Sequence, residues 1–154
     1  GWARGLPPKW DNEANWPVAG PLLANAELKP EAQHIKAAHR HFLELLEIRR
    51  TSPLLRLPTD QAVKDAMRFH NTGPDQVPGL IVMSLEQAGQ AMVIAINAGP
   101  GSLIFERPQD EFPGGRFELH PVLQQSHDAR NREASLTENA LHAPARTAAV
   151  FVRD

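Results

Sequence analysis

The sequence predicts a mainly β protein with one long helix, the helix standing ahead of an antiparallel β-sandwich. Three observations carry that expectation. Residues 31–50 repeat apolar side chains at helical spacing. Short β-type runs follow from residue 67 onward. Turn signals rich in Gly, Pro and Asn separate several of those runs, the pattern of a sandwich or barrel.

Residues 1–30 come first and hold all three Trp (Trp2, Trp10, Trp16) with five Pro. No period of 3.6 or 2 runs through them, so they read as an extended, aromatic-rich loop. Such a loop has little of its own to pack on, and a partner surface is expected. The helix is next. Pro30 suits a first helical position, where its missing N–H costs nothing. Glu31 stands in the first turn and Arg49 and Arg50 in the last, the charge order that the helix dipole favours. Ile35, Ala38, Phe42, Leu45 and Leu46 form one apolar stripe, which Leu43 and Ile48 widen. Ser52-Pro53 ends it, because a residue before Pro avoids the α region.

Beyond Pro58, Thr59 is placed to cap a short helical turn through Val63. Strands are expected at Met67–His70, Leu80–Leu85, Met92–Asn97, Ser102–Glu106, Phe117–His120 and Ala148–Val152. Glu86–Ala91 reads as a compact hairpin and Asn97–Ser102 as a hairpin turn. Residues 124–140 are polar and read as a long loop with one weak strand near Leu136.

The chain has 154 residues with 42% apolar and 22% charged side chains, enough for one domain with a sizeable core. A net charge of -2 offers no basic patch for nucleic acid, and no apolar run is long enough to span a membrane. Without Cys there is neither a disulfide nor a thiolate metal site. The chain does not start with Met and shows no signal peptide, so it is expected to begin at a processing site or a fragment edge.

The chemistry-bearing residues are few. His34, His39 and His41 lie on the helix with Glu44 a turn beyond His41, but three or four converging metal ligands are not evident, and a solvated face accounts for them. Glu44 and Glu47 read as surface charge, with Arg40–Glu44 and Glu47–Arg50 as helical pairs. His70 and His120 fall at strand ends, in structural hydrogen-bonding positions. Asn97–Ser102 lacks the Lys-Ser/Thr of a phosphate-binding loop. Ser126-His127-Asp128 is a neighbourhood and not a triad, since adjacent side chains diverge.

Five stretches then carry a family resemblance. Gly5-Leu6-Pro7-Pro8 with Asp11-Asn12, Asn15-Trp16-Pro17 and Pro21-Leu22-Leu23-Ala24-Asn25 is the first. Ile48-Arg49-Arg50-Thr51-Ser52-Pro53-Leu54-Leu55-Arg56-Leu57 is the second. The most specific is Arg68-Phe69-His70-Asn71-Thr72-Gly73-Pro74, followed by Pro78-Gly79-Leu80-Ile81-Val82-Met83. Phe117–Val122 and Pro144–Val152 complete the set. In order and over essentially the whole chain, they resemble the C-terminal portion of pullulanase- or limit-dextrinase-type debranching enzymes of the α-amylase superfamily. Two departures stand out: the segment between Leu85 and Met92 is shorter than in the family, and Arg4 stands where an apolar residue is usual.

The resemblance implies that residues 1–57 are the end of a (β/α)8 barrel, its last strand-to-helix loop and eighth helix, and that residues 58–154 are a C-terminal antiparallel β domain. It implies a parent enzyme that hydrolyses α-1,6-glucosidic links in pullulan, amylopectin or limit dextrins. The two carboxylates of that chemistry lie upstream of Gly1 in such enzymes, so no catalytic residue is expected here. The implied partners are an α-glucan and the upstream barrel of the same chain. No cofactor is implied for this segment, calcium in the parent being an open matter, and the parent is expected to be secreted or periplasmic and bacterial. Loops at that end of a barrel face the substrate. Trp2 and Trp10 are therefore candidates to stack on glucose, with Asp11, Asn12 and Asn15 to bond its hydroxyls. Their competing use is packing and turn formation. The alternative reading of the whole is an independent carbohydrate-binding β module; against it, the β part contains no Trp or Tyr.

Overall fold

The computed structural model describes residues 6–107 and 112–153. It divides into two compact units, Gly1–His39 and Arg40–Asp154. Among the described residues, 40% are helical and 27% lie in strands, so the protein is mixed helix and sheet and not mainly β.

The stretch before the long helix accounts for much of the difference. It is not an extended loop. It folds as α1 (Lys9–Asn12), a 3-10 turn (Glu13–Asn15), α2 (Trp16–Ala24) and a second 3-10 turn (Ala26–Leu28). Pro17 sits in the first turn of α2, where it is tolerated, while Pro21 lies inside and forfeits a ladder bond. Apolar residues surround this helix on all sides, so no amphipathic period announces it. Asn25 ends it, and its side chain accepts from the Glu27 N–H at 2.9 Å.

The long helix α3 spans Ala32–Thr51, within a residue or two of expectation. Pro30 precedes it, outside the first helical position. The Glu31 carbonyl accepts from the N–H groups of His34 and Ile35, and the Glu31 N–H donates to His34 Nδ1. Arg50 reaches Glu47 at 2.6 Å, as the spacing predicts. After a 3-10 turn at Pro53–Arg56, Thr59 caps α4 (Asp60–Ala66) by accepting from the Ala62 N–H at 3.1 Å.

Among the described residues, eight strands follow: β1 (Met67–Phe69), β2 (Leu80–Gln87), β3 (Gln90–Asn97), β4 (Leu103–Glu106), β5 (Phe117–Leu119), β6 (Ser135–Leu136), β7 (Ala140–Ala143) and β8 (Thr147–Arg153). They form two antiparallel sheets, ordered β1-β2-β3-β8-β5 and β4-β7-β6. Residues 124–140 are less of a loop than expected. Helical turn α5 (Pro121–Gln124) leads into the region and α6 (Ala129–Arg132) lies within it, each capped by the residue before it. The weak strand at Leu136 is present, and it pairs with β7, whose four residues gave no expectation.

Two connections set the routing of the strands, one by local and one by long-range chemistry. Ala88-Gly89 joins β2 to β3 with both residues at positive φ, 52° and 80°, the twist that a two-residue hairpin needs. Asn97–Ser102 is not a hairpin turn: β3 pairs with β2 and β8, β4 with β7, so this segment crosses from one sheet to the other. Buried Asn97 pins the crossing. Its Nδ2 donates to the carbonyls of Gly101, Ala143 and Pro144, and its Oδ1 accepts from the Gly99 N–H at 2.8 Å. A side chain at Gly99 would stand 3.1 Å from that Oδ1.

Alternation sorts the side chains into two cores. Val82, Val93, Ala95, Phe151 and Phe117 face Phe105, Leu141 and Ala143 across the sandwich. On the opposite face of the larger sheet, Leu85, Met92, Ile94 and Val150 meet Ile48, Leu54 and Leu123. Each large aliphatic side chain so buried contributes about 1.5–3 kcal/mol. The end of α3 is thereby fixed to the β unit.

Candidate functional site

A helix turning 100° per residue places Ile48, Leu45 and His41 on one arc and Phe42, Leu46 and Leu43 on the neighbouring one. The first arc is covered: Ile48 is 1% exposed and Leu45 packs on the same cluster. The second arc is open. Phe42 is 58% exposed, Leu43 49% and Leu46 44%. Ile35 shares the face of Phe42 and is also exposed. The apolar surface of α3 is thus wider than the strip its own sheet uses.

Glu44 lies at the far margin of the covered arc and is not the free surface charge that the sequence pattern predicts. Its carboxylate accepts from Ser126 Oγ at 2.8 Å and from the His127 N–H at 3.0 Å, and lies 3.4 Å from His41 Nδ1. Burial pushes this carboxyl up, but the bonds from His127, Ser126 and His41 outweigh burial and hold it below its ordinary 4.5. Asn131, 1% exposed, donates to Ser126 Oγ at 3.1 Å and reaches His41 Nδ1 at 3.2 Å. Ser126, His127 and Asp128 therefore anchor a loop and form no triad. Among the described residues, no cluster of three or more His, Asp or Glu side chains could hold a metal ion. No helix among them is long and apolar enough to cross a membrane.

His70 and His120 are both in hydrogen-bonded structural positions. His70 Nε2 lies 2.8 Å from Ser84 Oγ, and its ring is 4.6 Å from that of Phe112. His120 caps α5 by accepting the Val122 N–H at Nδ1.

Of the residues offered for sugar contact, Trp2 lies outside the described residues. Trp10 stands on α1 with 86% of its surface exposed. Asp11 and Asn15 are exposed and Asn12 is half-buried. Asn12 and Asn15 occupy capping positions, yet neither side chain caps. Trp16 differs: it is half-buried, and its Nε1 donates to the Pro7 carbonyl at 2.9 Å. None of residues 6–39 is buried.

A family model described as alpha-1,6-glucosidases, pullulanase-type, C-terminal, matches residues 1–154. The chain belongs to this family. Pullulanase 1, chloroplastic, from Arabidopsis thaliana is 39% identical over 166 residues, covering 98% of this chain and 17% of that protein. A pullulanase from Klebsiella pneumoniae is 32% identical over 130 residues, covering 78% of the chain and 12% of that protein. Among solved structures, PulA from Klebsiella oxytoca superposes with a TM-score of 0.77 at 28% identity, over 96% of this chain and 15% of that one. PulA from Klebsiella pneumoniae, solved as a maltotriose complex, gives a TM-score of 0.75 at 26% identity, over 97% and 17%. This pullulanase-type C-terminal chain thus spans less than a fifth of the length of these relatives.

Proposed function

We propose that the chain is the C-terminal segment of a starch-debranching glycoside hydrolase, one that cleaves α-1,6-glucosidic links in pullulan, amylopectin or limit dextrins. Its role is structural. In this reading residues 1–57 close a (β/α)8 barrel with its last loop and helix, and residues 58–154 are the β domain beside it. The two carboxylates of the reaction belong to the upstream barrel.

The observation that carries the reading is the open apolar arc of Phe42, Leu43 and Leu46 on a helix whose other arc is already buried. A side chain of this kind returns about 1.5–3 kcal/mol when covered, so three on one face favour a partner surface. The helices before α3 add weight, since no described residue there is buried and the stretch has no core of its own. Family membership supplies the candidate partner: the rest of a pullulanase-type enzyme. Trp10, with Asp11, Asn12 and Asn15, then lies in the loop that borders the substrate end of the barrel. Its exposed indole face is suited to a glucose ring.

The test has two arms. The purified chain is incubated with pullulan and reducing ends are counted; none is expected, and turnover would place the catalytic carboxylates within residues 1–154. A pullulanase catalytic segment ending before the position that matches Gly1 is then co-expressed with the chain. Co-purification is expected, and its absence, with both pieces folded, would overturn the docking role. Retardation of the chain in amylopectin gels that survives deletion of residues 1–29 would favour the independent binding module instead.

A further inference from the structure

A cavity of about 520 Å³ opens where the end of α3, the β2–β3 turn, the start of α5 and the end of β8 meet. Leu54, Met92, Val122 and Val152 supply an aliphatic wall. Ser52, Gln90 and His120 interrupt it with polar groups. This size and this mixture, a mostly apolar lining with a few converging polar groups, are those of small-molecule sites.

The polar groups are uncommitted. His120 Nδ1 accepts the Val122 N–H at 3.2 Å, which places the imidazole proton on Nε2. Burial holds this ring's pKa below 6.5 against the opposing pull of Glu47, so at neutral pH the ring is an uncharged N–H donor. That Nε2 makes no hydrogen bond with the described residues, nor does Ser52 Oγ, which leaves the 3-10 turn behind it uncapped. His120 is 8% exposed and Ser52 7%. Among the described residues, the polar side-chain atoms sealed without a partner are Asn131 Oδ1 and Arg153 Nε; Ser52 Oγ and His120 Nε2 are not sealed, and both residues line the cavity. Accessible polar groups beside an aliphatic wall suit a ligand that brings hydroxyl or carbonyl oxygens. Charge is absent from the requirement: Arg153, the cation in the wall, is bound to Glu86 at 2.6 Å.

We infer that this cavity binds a neutral polyhydroxylated ligand, a short α-glucan end, with its C–H face on the aliphatic wall and its hydroxyls on Ser52 and His120. The choice of a glucan among neutral polyols rests on the function proposed above; the demand for an uncharged polyol does not. This site is separate from the Trp10 loop.

The experiment titrates the isotope-labelled chain with maltotriose, and in parallel with myo-inositol, following backbone amide shifts. Maltotriose is expected to move Ser52, Gln90, Val122 and Val152, and inositol to do so more weakly. Ser52→Ala and His120→Phe each remove one bond and are expected to weaken maltotriose about tenfold, while Trp10→Ala leaves these shifts unchanged. If His120→Phe unfolds through loss of the α5 cap, Ser52→Ala carries the comparison. No movement of those amides, or unaltered affinity in a folded Ser52→Ala variant, overturns the site. An equal response to inositol overturns the glucan assignment. Co-purification with a catalytic segment, tested separately, stands whichever way this titration falls.

Discussion

Glu44 and Ser126 are 82 residues apart in sequence and are joined by a hydrogen bond of 2.8 Å. The bond ties the side of α3 to the loop that leads into α6, and the His127 N–H and Asn131 complete the tie. A single carboxylate thus serves as the acceptor for two donors from this loop.

Replacing that carboxylate tests the tie through pH. The hydrogen bonds hold Glu44 below its ordinary 4.5, so the unfolded chain binds the proton more readily than the folded one. Its stabilising contribution is therefore complete above pH 4.5 and is lost as pH falls through the lower folded value. Unfolding free energies from urea denaturation should place Glu44→Gln below the wild type at pH 7, by about 1–3 kcal/mol. The gap should narrow as the pH is taken below 4.5. A gap that does not change with pH would show that charge has no part in the anchor.

Asn97 carries a second long-range tie. Three carbonyls lose the Asn97 donor in Asn97→Ala, two of them from the segment at Ala143 and Pro144, though Pro144 keeps the Thr147 Oγ1 donor at 2.7 Å. A cost of about 2–3 kcal/mol is expected in chemical denaturation, since the crossing loses all three bonds that Asn97 donates and the one it accepts from Gly99. Asn97→Asp keeps the acceptor for Gly99 but loses the donors, and is expected to be nearly as damaging.

The β2–β3 turn offers the opposite sign. Ala88 holds φ 52°, a conformation that a β-carbon disfavours. Ala88→Asn creates the Asn-Gly pair preferred in such turns and should raise stability by about 0.5–1 kcal/mol, read as a shift in melting temperature. No change would mean that the turn bears no strain.

The open arc of α3 predicts behaviour in solution. The isolated chain should self-associate in sedimentation velocity as its concentration rises. Phe42→Ser combined with Leu46→Ser should suppress this without lowering the unfolding free energy by more than about 0.5 kcal/mol, because both residues are already exposed. A chain that stays monomeric without these changes would count against the arc as a docking face.

The sequence made α3, the cap at Thr59, the Ala88-Gly89 hairpin and most strands legible, because each is written in neighbouring residues. What it hid was long-range. Asn97–Ser102 has the composition of a turn, yet whether such a segment reverses within one sheet or crosses to another depends on Ala143 and Pro144, more than forty residues on. Glu44 follows the spacing of a helical ion pair with Arg40, and only the folded loop at Ser126 shows a better partner. α2 escaped notice because a helix with Pro inside and apolar residues all round has no periodic signature. The open arc of α3 was legible only in part: periodicity marks a stripe, but cannot say which half of it the chain covers itself.

That half-covered stripe has a further consequence for motion. Only the C-terminal turns of α3 are clamped, by Ile48, Leu45 and Glu44, while every residue from 32 to 40 is exposed. Backbone amides should therefore exchange their hydrogens quickly near Ile35 and slowly near Ile48, with the boundary close to Glu44. Fraying from the front end would make the helix its own gauge of occupancy, since slow exchange would spread toward residue 32 once another surface closes over Phe42.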